Sequence, residues 1–240
     1  MTGLGTVLGV WAHPDDETYL SGGLMALARR AGERVVCVSA THGEHGTDDP
    51  VAWPPERLAR VRALEATAAM AVLGVDDHRF LGFEDGTLAG VDPRAGAGAV
   101  ARLLDEVRPD TIVTFGPEGM TGHPDHRAIS RWVTGAWCRA GGPERARPRL
   151  LHAVKTDAFA DAFADVHDAL PIFAPGLPLR TPVDQLALSL DLDDELVDVK
   201  LAALRTQATQ VAPLVAAMGE ARYVEWIRSE TFVAAGTIAG

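Results

Sequence analysis

The chain has 240 residues, of which 47% are hydrophobic and 23% charged, a size and composition typical of one globular domain. Its formal net charge of −11 argues against nucleic acid or an anionic membrane surface as a partner, because both would be repelled. With two cysteines, no apolar run near the roughly 18 residues that span a bilayer and no signal-peptide pattern, the sequence indicates a cytoplasmic protein without a disulfide framework.

Short apolar runs alternate with helical patterns along the chain. Such runs are typical of strands that are buried on both faces of a parallel sheet. The alternation predicts an α/β fold, a Rossmann-like three-layer sandwich with a mostly parallel sheet, in a single domain over residues 1–240. In chain order we predict a strand at 6–11, a helix at 20–31, a strand at 35–40, helices at 55–73 and 100–107, strands at 111–115, 150–154 and 185–190, and a helix at 192–206.

Two further stretches have the composition of loops. Residues 141–148 are polar and contain glycine and proline, which predicts a surface loop. Residues 171–182 contain four prolines, and we expect this loop to lie beside the functional site.

The first predicted strand leads directly into an acidic loop. From position 12 its sequence is Ala-His-Pro-Asp-Asp-Glu, so that His13, Asp15, Asp16 and Glu17 lie within five positions. Ligands bind at the carboxyl ends of the strands in open α/β sheets. Because three carboxylates so close together repel one another, we expect a divalent cation beside them.

A second cluster of the same kind follows the strand predicted at 111–115. It reads Gly-His-Pro-Asp-His at positions 122–126. Pro124 suits the first position of a helix, where a missing N–H costs nothing. His123 and His126 are three residues apart, so on a helix start they share one face and can reach one small site.

The two clusters together offer the ligands of a catalytic metal site. Three protein ligands plus one open position is the usual arrangement for catalytic zinc, whereas structural sites prefer cysteine. Zinc activates water and polarises a carbonyl, a carboxylate can accept the proton, and a histidine can stabilise the oxyanion or protonate the leaving nitrogen. Ferrous iron or another first-row metal is an alternative to zinc, because histidine and carboxylate ligands also bind these ions. A non-catalytic binding module, in which the metal only joins two loops, is a second alternative.

At these residues the chain resembles the PIG-L (LmbE-like) family of N-acetylglucosaminyl deacetylases. The family motifs Ala-His-Pro-Asp-Asp-Glu and His-Pro-Asp-His are matched in full at positions 12–17 and 123–126. The resemblance covers most of the chain and includes Ser21-Gly22-Gly23, positions 41–46, and positions 200–210.

The resemblance implies a hydrolase with Zn2+ as its cofactor, which removes the N-acetyl group from a small amino-sugar substrate containing N-acetylglucosamine. His123 would stabilise the oxyanion or act as the acid, oriented by Asp125. Asp15 would be the general base. The implied metal ligands are His13, Asp16 and His126.

The resemblance also implies substrate contacts. Arg62 would hold sugar hydroxyls, with Glu44 and Asp85 as weaker candidates. The alternative for Arg62 is a surface ion pair with Glu65, which would contribute little to stability.

The chain departs from the family pattern at two positions. Relatives that act in mycothiol synthesis tend to have a tyrosine where this chain has Thr121, and many relatives have a histidine where it has Gln207. The sequence therefore allows two classes of substrate: an N-acetylglucosamine derivative, or another amide such as a glycosylated natural product or a thiol conjugate.

The sequence also allows a homo-oligomer, because the Ala- and Leu-rich segment 201–215 could pack either in the core or against a second subunit.

Overall fold

A computed structural model of the chain describes residues 3–141 and 146–236. None of the helices within these ranges is both long enough and apolar enough to cross a bilayer. The elements in chain order are β1 (Val7–Trp11), α1 (Asp16–Arg30), β2 (Val35–Ser39), α2 (Pro55–Leu73), β3 (Asp77–Phe80), α3 (Pro93–Val107), β4 (Thr111–Phe115), α4 (Pro124–Arg139), β5 (Arg149–Thr156), α5 (Asp157–Ala162), α6 (Ala164–Ala169), β6 (Arg180–Thr181), β7 (Leu188–Asp191), α7 (Asp194–Thr206), α8 (Ala208–Met218), α9 (Glu220–Ile227) and β8 (Ser229–Ala234).

Within these residues, seven strands form one sheet in the order β3-β2-β1-β4-β5-β8-β7. The first five are mutually parallel, whereas β8 runs antiparallel to both of its neighbours. The short strand β6 pairs with the end of β5. Helices cover both sides of the sheet, which confirms the predicted α/β fold with a mostly parallel sheet.

The central strands are the best predicted elements. Every residue of β1, β2 and β4 is buried, and each strand lies within one residue of its predicted bounds. The helix α1 begins at Asp16, four residues before its predicted start, so the acidic loop runs directly into its first turn. Part of the loop predicted at 141–148 lies outside the described residues, since positions 142–145 are not among them.

His152 lies in β5 with only 4% of its surface exposed. Neither of its ring nitrogens has a hydrogen-bond partner among the described residues. Burial lowers the pKa of His152 from 6.5 to about 4, because the charged ring would lose its hydration. The native protein therefore holds this ring neutral under conditions in which the unfolded chain would protonate it.

We expect this histidine to make stability depend on pH. Between pH 6.5 and about pH 4 the unfolded state binds the extra proton, so the free energy of unfolding falls as pH falls through this window. The titration of His152 alone should lower the free energy of unfolding by about 2 kcal/mol between pH 7.5 and pH 5. Urea unfolding at both pH values would measure the loss in the wild type and in His152→Phe. An equal loss in the two proteins would contradict the prediction.

Candidate active site

The two predicted clusters lie at the same edge of the sheet. β1 and β4 are parallel neighbours, and the acidic loop follows β1 just as the second cluster follows β4. Asp16 is the first residue of α1, and His126 lies in the first turn of α4. Gly119 in the loop between β4 and α4 has φ +76, and a Cβ there would lie only 2.9 Å from the Cβ of His126. A glycine at this position therefore lets the loop pass close to the histidine.

His13, Asp16 and His126 form a compact triangle of ligand atoms. Nε2 of His126 lies 3.2 Å from Nδ1 of His13 and 3.3 Å from Oδ1 of Asp16. Nδ1 of His13 lies 3.5 Å from Oδ2 of Asp16. Ligands about 2.0–2.1 Å from a tetrahedral zinc ion are separated by about 3.3–3.4 Å, close to the distances between these side chains. The two Asp16 distances end on different oxygens, and Oδ2 also accepts the His13 N–H at 2.8 Å, so Oδ1 is the better placed to bind an ion.

The outer nitrogen of each histidine is held by a second group. Nε2 of His13 lies 3.0 Å from Oδ1 of Asp85 and 3.4 Å from Oδ2 of Asp125. Nδ1 of His126 is 3.0 Å from the carbonyl oxygen of Gly119 and 3.2 Å from the Thr121 hydroxyl. Outer partners of this kind fix the ring tautomer, leaving the inner nitrogens free to bind a cation.

The charges around the triangle also suit a cation. Burial lowers the pKa of His126 to about 4, so this ring is neutral and its lone pair is available. Burial alone would raise the pKa of Asp16, but His126 and His13 lower it to about 2. Burial alone would lower the pKa of His13, and hydrogen bonds with the neighbouring carboxylates raise it well above its usual value. A bound cation would replace the proton as the partner of these carboxylates.

Asp15 lies beside the triangle in a strained conformation. Its φ is +112, which is rare for a residue other than glycine, and its N–H donates to the Glu17 carboxylate at 3.1 and 3.2 Å. Its carboxylate lies 3.4 Å from Nη2 of Arg62. Burial raises the pKa of Asp15 to about 7, with Arg62 opposing the rise and the Asp16 and Glu17 carboxylates adding to it. Such a group exchanges protons readily near neutral pH.

His123 is exposed at the N-terminus of α4 and lines the same cleft. Asp125 contacts His123 through its backbone: the Asp125 N–H donates a hydrogen bond to Nδ1 of His123 at 3.2 Å. The Asp125 carboxylate instead accepts hydrogen bonds from the N–H groups of Gly86 and Leu88 and contacts His13. An acceptor at Nδ1 places the ring hydrogen of neutral His123 on Nε2.

Arg62, which is predicted to hold sugar hydroxyls, lines the polar cleft and also makes hydrogen bonds within the protein. It is only 4% exposed, and it donates to the carbonyl oxygens of Gly43 and Pro14. The alternative pair with Glu65 does not form either, because that carboxylate accepts hydrogen bonds from the N–H and the hydroxyl of Thr209. Arg62 therefore fixes the two loops that surround Asp15.

Glu44 and Asp85, the other expected substrate contacts, are similarly engaged. Oε1 of Glu44 accepts a hydrogen bond from the Asp85 N–H at 2.9 Å. Oδ2 of Asp85 accepts one from the His45 N–H at 2.9 Å, while Oδ1 contacts His13. Asp85 thus positions a metal-ligand candidate, and Glu44 supports Asp85.

Glu17 and Gln207 are functional neighbours to which sequence reasoning assigned no role. Glu17 is fully buried, and Nε2 of Gln207 donates to its Oε1 at 2.8 Å. Burial raises the pKa of Glu17. The place of Glu17 in the first motif was the available signal, whereas the contact with Gln207 joins positions 190 residues apart in sequence.

Two cavities meet at Asp15, Asp16 and His126. One is a polar cleft of about 460 Å³, and the other is a mainly apolar chamber of about 190 Å³. The predicted loop at 171–182 lies beside the site as expected, because Ile172 lines both cavities and Phe173 lines the chamber.

We expect His126→Ala to lose its metal. The substitution removes one corner of a triangle whose sides are 3.2–3.5 Å, which leaves only two ligands for the ion. Elemental analysis of the purified protein after dialysis would measure the metal content. His42→Ala is the matched control, because this ring stacks on Phe80. Equal metal content in the two variants would remove His126 from the ligand set.

Comparison with known proteins identifies the family of the chain. The family profile described as PIG-L, GlcNAc-PI de-N-acetylase, matches residues 8–137. The 1D-myo-inositol 2-acetamido-2-deoxy-alpha-D-glucopyranoside deacetylase of Mycobacterium sp. (strain KMS) is 34% identical, over 89% of this chain and 76% of the relative. The chain therefore belongs to the PIG-L family.

Solved structures share the fold at low sequence identity. The N,N'-diacetylchitobiose deacetylase from Pyrococcus horikoshii is similar with a TM-score of 0.66 and 18% identity, over 98% of this chain and 85% of that one. GalB, the 4-carboxy-2-hydroxymuconate hydratase from Pseudomonas putida, has a TM-score of 0.64 and 16% identity, over 99% and 98% of the two chains. Because a deacetylase and a hydratase share this fold, the reaction has to be argued from the site.

Proposed function

We propose that this protein is a zinc-dependent N-deacetylase that hydrolyses the acetamide of an N-acetylglucosamine-containing small molecule to acetate and a free amine. The observation that carries the proposal is the triangle of His13, Asp16 and His126 with the Asp15 carboxyl beside it. The glucosaminyl-inositol substrate in the name of the 34%-identical relative is the first one to test. The contact between Glu17 and Gln207 supports one domain over residues 1–240.

His13, Asp16 and His126 would hold the metal ion, which when bound would polarise the amide carbonyl and lower the pKa of water. Asp15 would accept the proton of the attacking water, because its raised pKa suits a group that must also release that proton. It would then pass the proton to the leaving nitrogen, so that the amine departs neutral.

His123 would stabilise the oxyanion rather than serve as the acid. Burial lowers the pKa of His123 below its usual value of 6.5, so its ring is neutral near pH 7. A neutral ring is a weak acid but a good hydrogen-bond donor. With Nδ1 accepting from the Asp125 N–H, the Nε2–H remains to donate to the developing negative charge.

The proposal predicts acetate release that depends on the metal. Stripped protein should be inactive, and added Zn2+ should restore release from the glucosaminyl-inositol substrate, because the ion would activate the attacking water and polarise the carbonyl. Fe2+, Co2+ and Mn2+ in parallel would identify the preferred ion, and N-acetylglucosamine and N,N'-diacetylchitobiose would rank the aglycones. Stoichiometric metal without release from any of the three substrates would overturn the proposal.

A further inference from the structure

The apolar chamber beside the metal-ligand triangle has no role in the mechanism above. Its walls include aromatic and aliphatic side chains from α1, α8, α9 and the 171–182 loop. An apolar cavity of about 150 Å³ holds a benzene molecule, and this chamber measures about 190 Å³. It is therefore much larger than the methyl group of an acetamide needs. The main apolar wall residues are Leu20, Ile172, Phe173, Leu214, Trp226 and Ile227.

The chamber contains one cationic side chain, Lys155, at the carboxyl end of β5. Lys155 is only 8% exposed, and no hydrogen bond or salt bridge joins its Nζ to another described residue. Its one recorded contact is with the ring face of Phe159, 4.3 Å from the centroid. Burial lowers the pKa of Lys155 to about 7, with the charge of Lys200 adding to the effect and the Glu230 carboxylate opposing it. A buried amine in this state favours a ligand that supplies an acceptor.

The two cavities divide the substrate between them. Sugar hydroxyls require hydrogen-bonding partners, which the polar cleft offers through groups such as His45, His123 and Gln210. With the scissile amide at Asp15, Asp16 and His126, a sugar in the cleft leaves the acyl group to enter the chamber. Lys155 would then face the far end of the acyl chain.

We propose that the site also hydrolyses N-acyl groups longer than acetyl, and that Lys155 selects those ending in a carboxylate. The inference rests on the proposed deacylase function and extends it to a substrate class, amino sugars acylated by a short dicarboxylic acid. The chamber volume sets the acyl length at about four to six carbons.

The test compares N-glutaryl-glucosamine with N-(5-methylhexanoyl)-glucosamine, in which an uncharged isopropyl group of the same shape replaces the terminal carboxylate. Release of glucosamine would be measured from the N-acetyl, N-glutaryl and N-(5-methylhexanoyl) derivatives of glucosamine, using the zinc-loaded protein. The glutaryl derivative should have a kcat/KM at least about tenfold above that of the isostere, because a charged hydrogen bond replaces an apolar contact. Lys155→Met should lower this ratio about tenfold or more, chiefly through KM. Arg131→Met, which removes an exposed cation on α4, is the matched control.

A second variant tests the chamber independently of its charge. Leu214→Trp, at a half-buried wall position of α8, should lower kcat/KM for both long derivatives relative to acetyl. Hydrolysis of the acetyl derivative with no glutaryl preference in the wild type would overturn this inference alone. If Lys155→Met leaves the ratio of kcat/KM for the glutaryl derivative to that for its uncharged isostere unchanged, this inference is also overturned. No glucosamine from any derivative, with zinc bound, would instead refute the proposed function.

Discussion

Asp15→Asn is expected to lower kcat by roughly 10²–10⁴-fold while the protein keeps its full metal content. The amide has the same shape as the carboxyl group but cannot take a proton from water. Asparagine also tolerates positive φ better than most residues, so the backbone at φ +112 is not strained further. Arg62 keeps its two carbonyl partners, Gly43 and Pro14, and the loop around the site stays in place.

The measurement pairs steady-state kinetics on the N-acetyl substrate with elemental analysis of the same preparation. Asp105→Asn, an exposed acid on α3, controls for the loss of one negative charge. If kcat stays at the wild-type value, Asp15 is not the base. If kcat and metal content fall together, Asp15 contributes to metal binding, contrary to the ligand set proposed here.

The strands that the sequence predicts correctly are those in which the buried positions are also the apolar ones. β1, β2 and β4 are short runs buried along their whole length, and each consists mostly of apolar residues. β3 was missed because it is a half-buried edge strand, Asp77–Phe80, in which three of the four residues are polar. β8 was missed because the buried residue Glu230 interrupts its apolar pattern.

The candidate site follows the same division. Its two motifs are contiguous in sequence, and parallel neighbouring strands carry them to one edge, so their meeting was predictable. The orientation of Asp125 and the contacts of Arg62 and Asp85 depend on loops separated by many residues, which no local pattern encodes. Lys155 gave no signal at all, because its burial over the Phe159 ring is a property of the packed structure.

Lys200→Met is expected to destabilise the fold by about 3–5 kcal/mol. Lys200 is completely buried, and its Nζ donates to Glu230 at 2.7 Å and to the Tyr19 carbonyl at 2.8 Å. Glu230 in turn accepts from the N–H groups of Gly23 and Leu24 at 2.7 and 2.8 Å. Without the lysine, the Glu230 carboxylate would stay buried without a countercharge, which is the costly outcome of breaking such a pair.

This ion pair explains the resemblance at Ser21-Gly22-Gly23 and at Lys200. It ties α1, which carries Asp16 at its start, to α7 and β8 near the other end of the chain. A Cβ at Gly23 would lie 2.5 Å from a Leu192 side-chain carbon, so only glycine allows this approach. Loss of the pair should therefore loosen the helix that carries Asp16, a proposed metal ligand, as well as lower stability.

The chain provides its own matched control, because its only two lysines are Lys155 and Lys200 and both are buried. Lys200 makes a salt bridge with Glu230, whereas Lys155 makes none with a described residue and only feels the Glu230 charge, so Lys155→Met removes a buried amine without breaking an ion pair. Urea unfolding of both variants should find Lys200→Met less stable than Lys155→Met by several kcal/mol. The double variant Lys200→Met/Glu230→Gln should recover part of the loss, because the unpaired charge is gone. Equal stability of the two single variants would mean that the ion pair contributes nothing beyond the packing of its methylene groups.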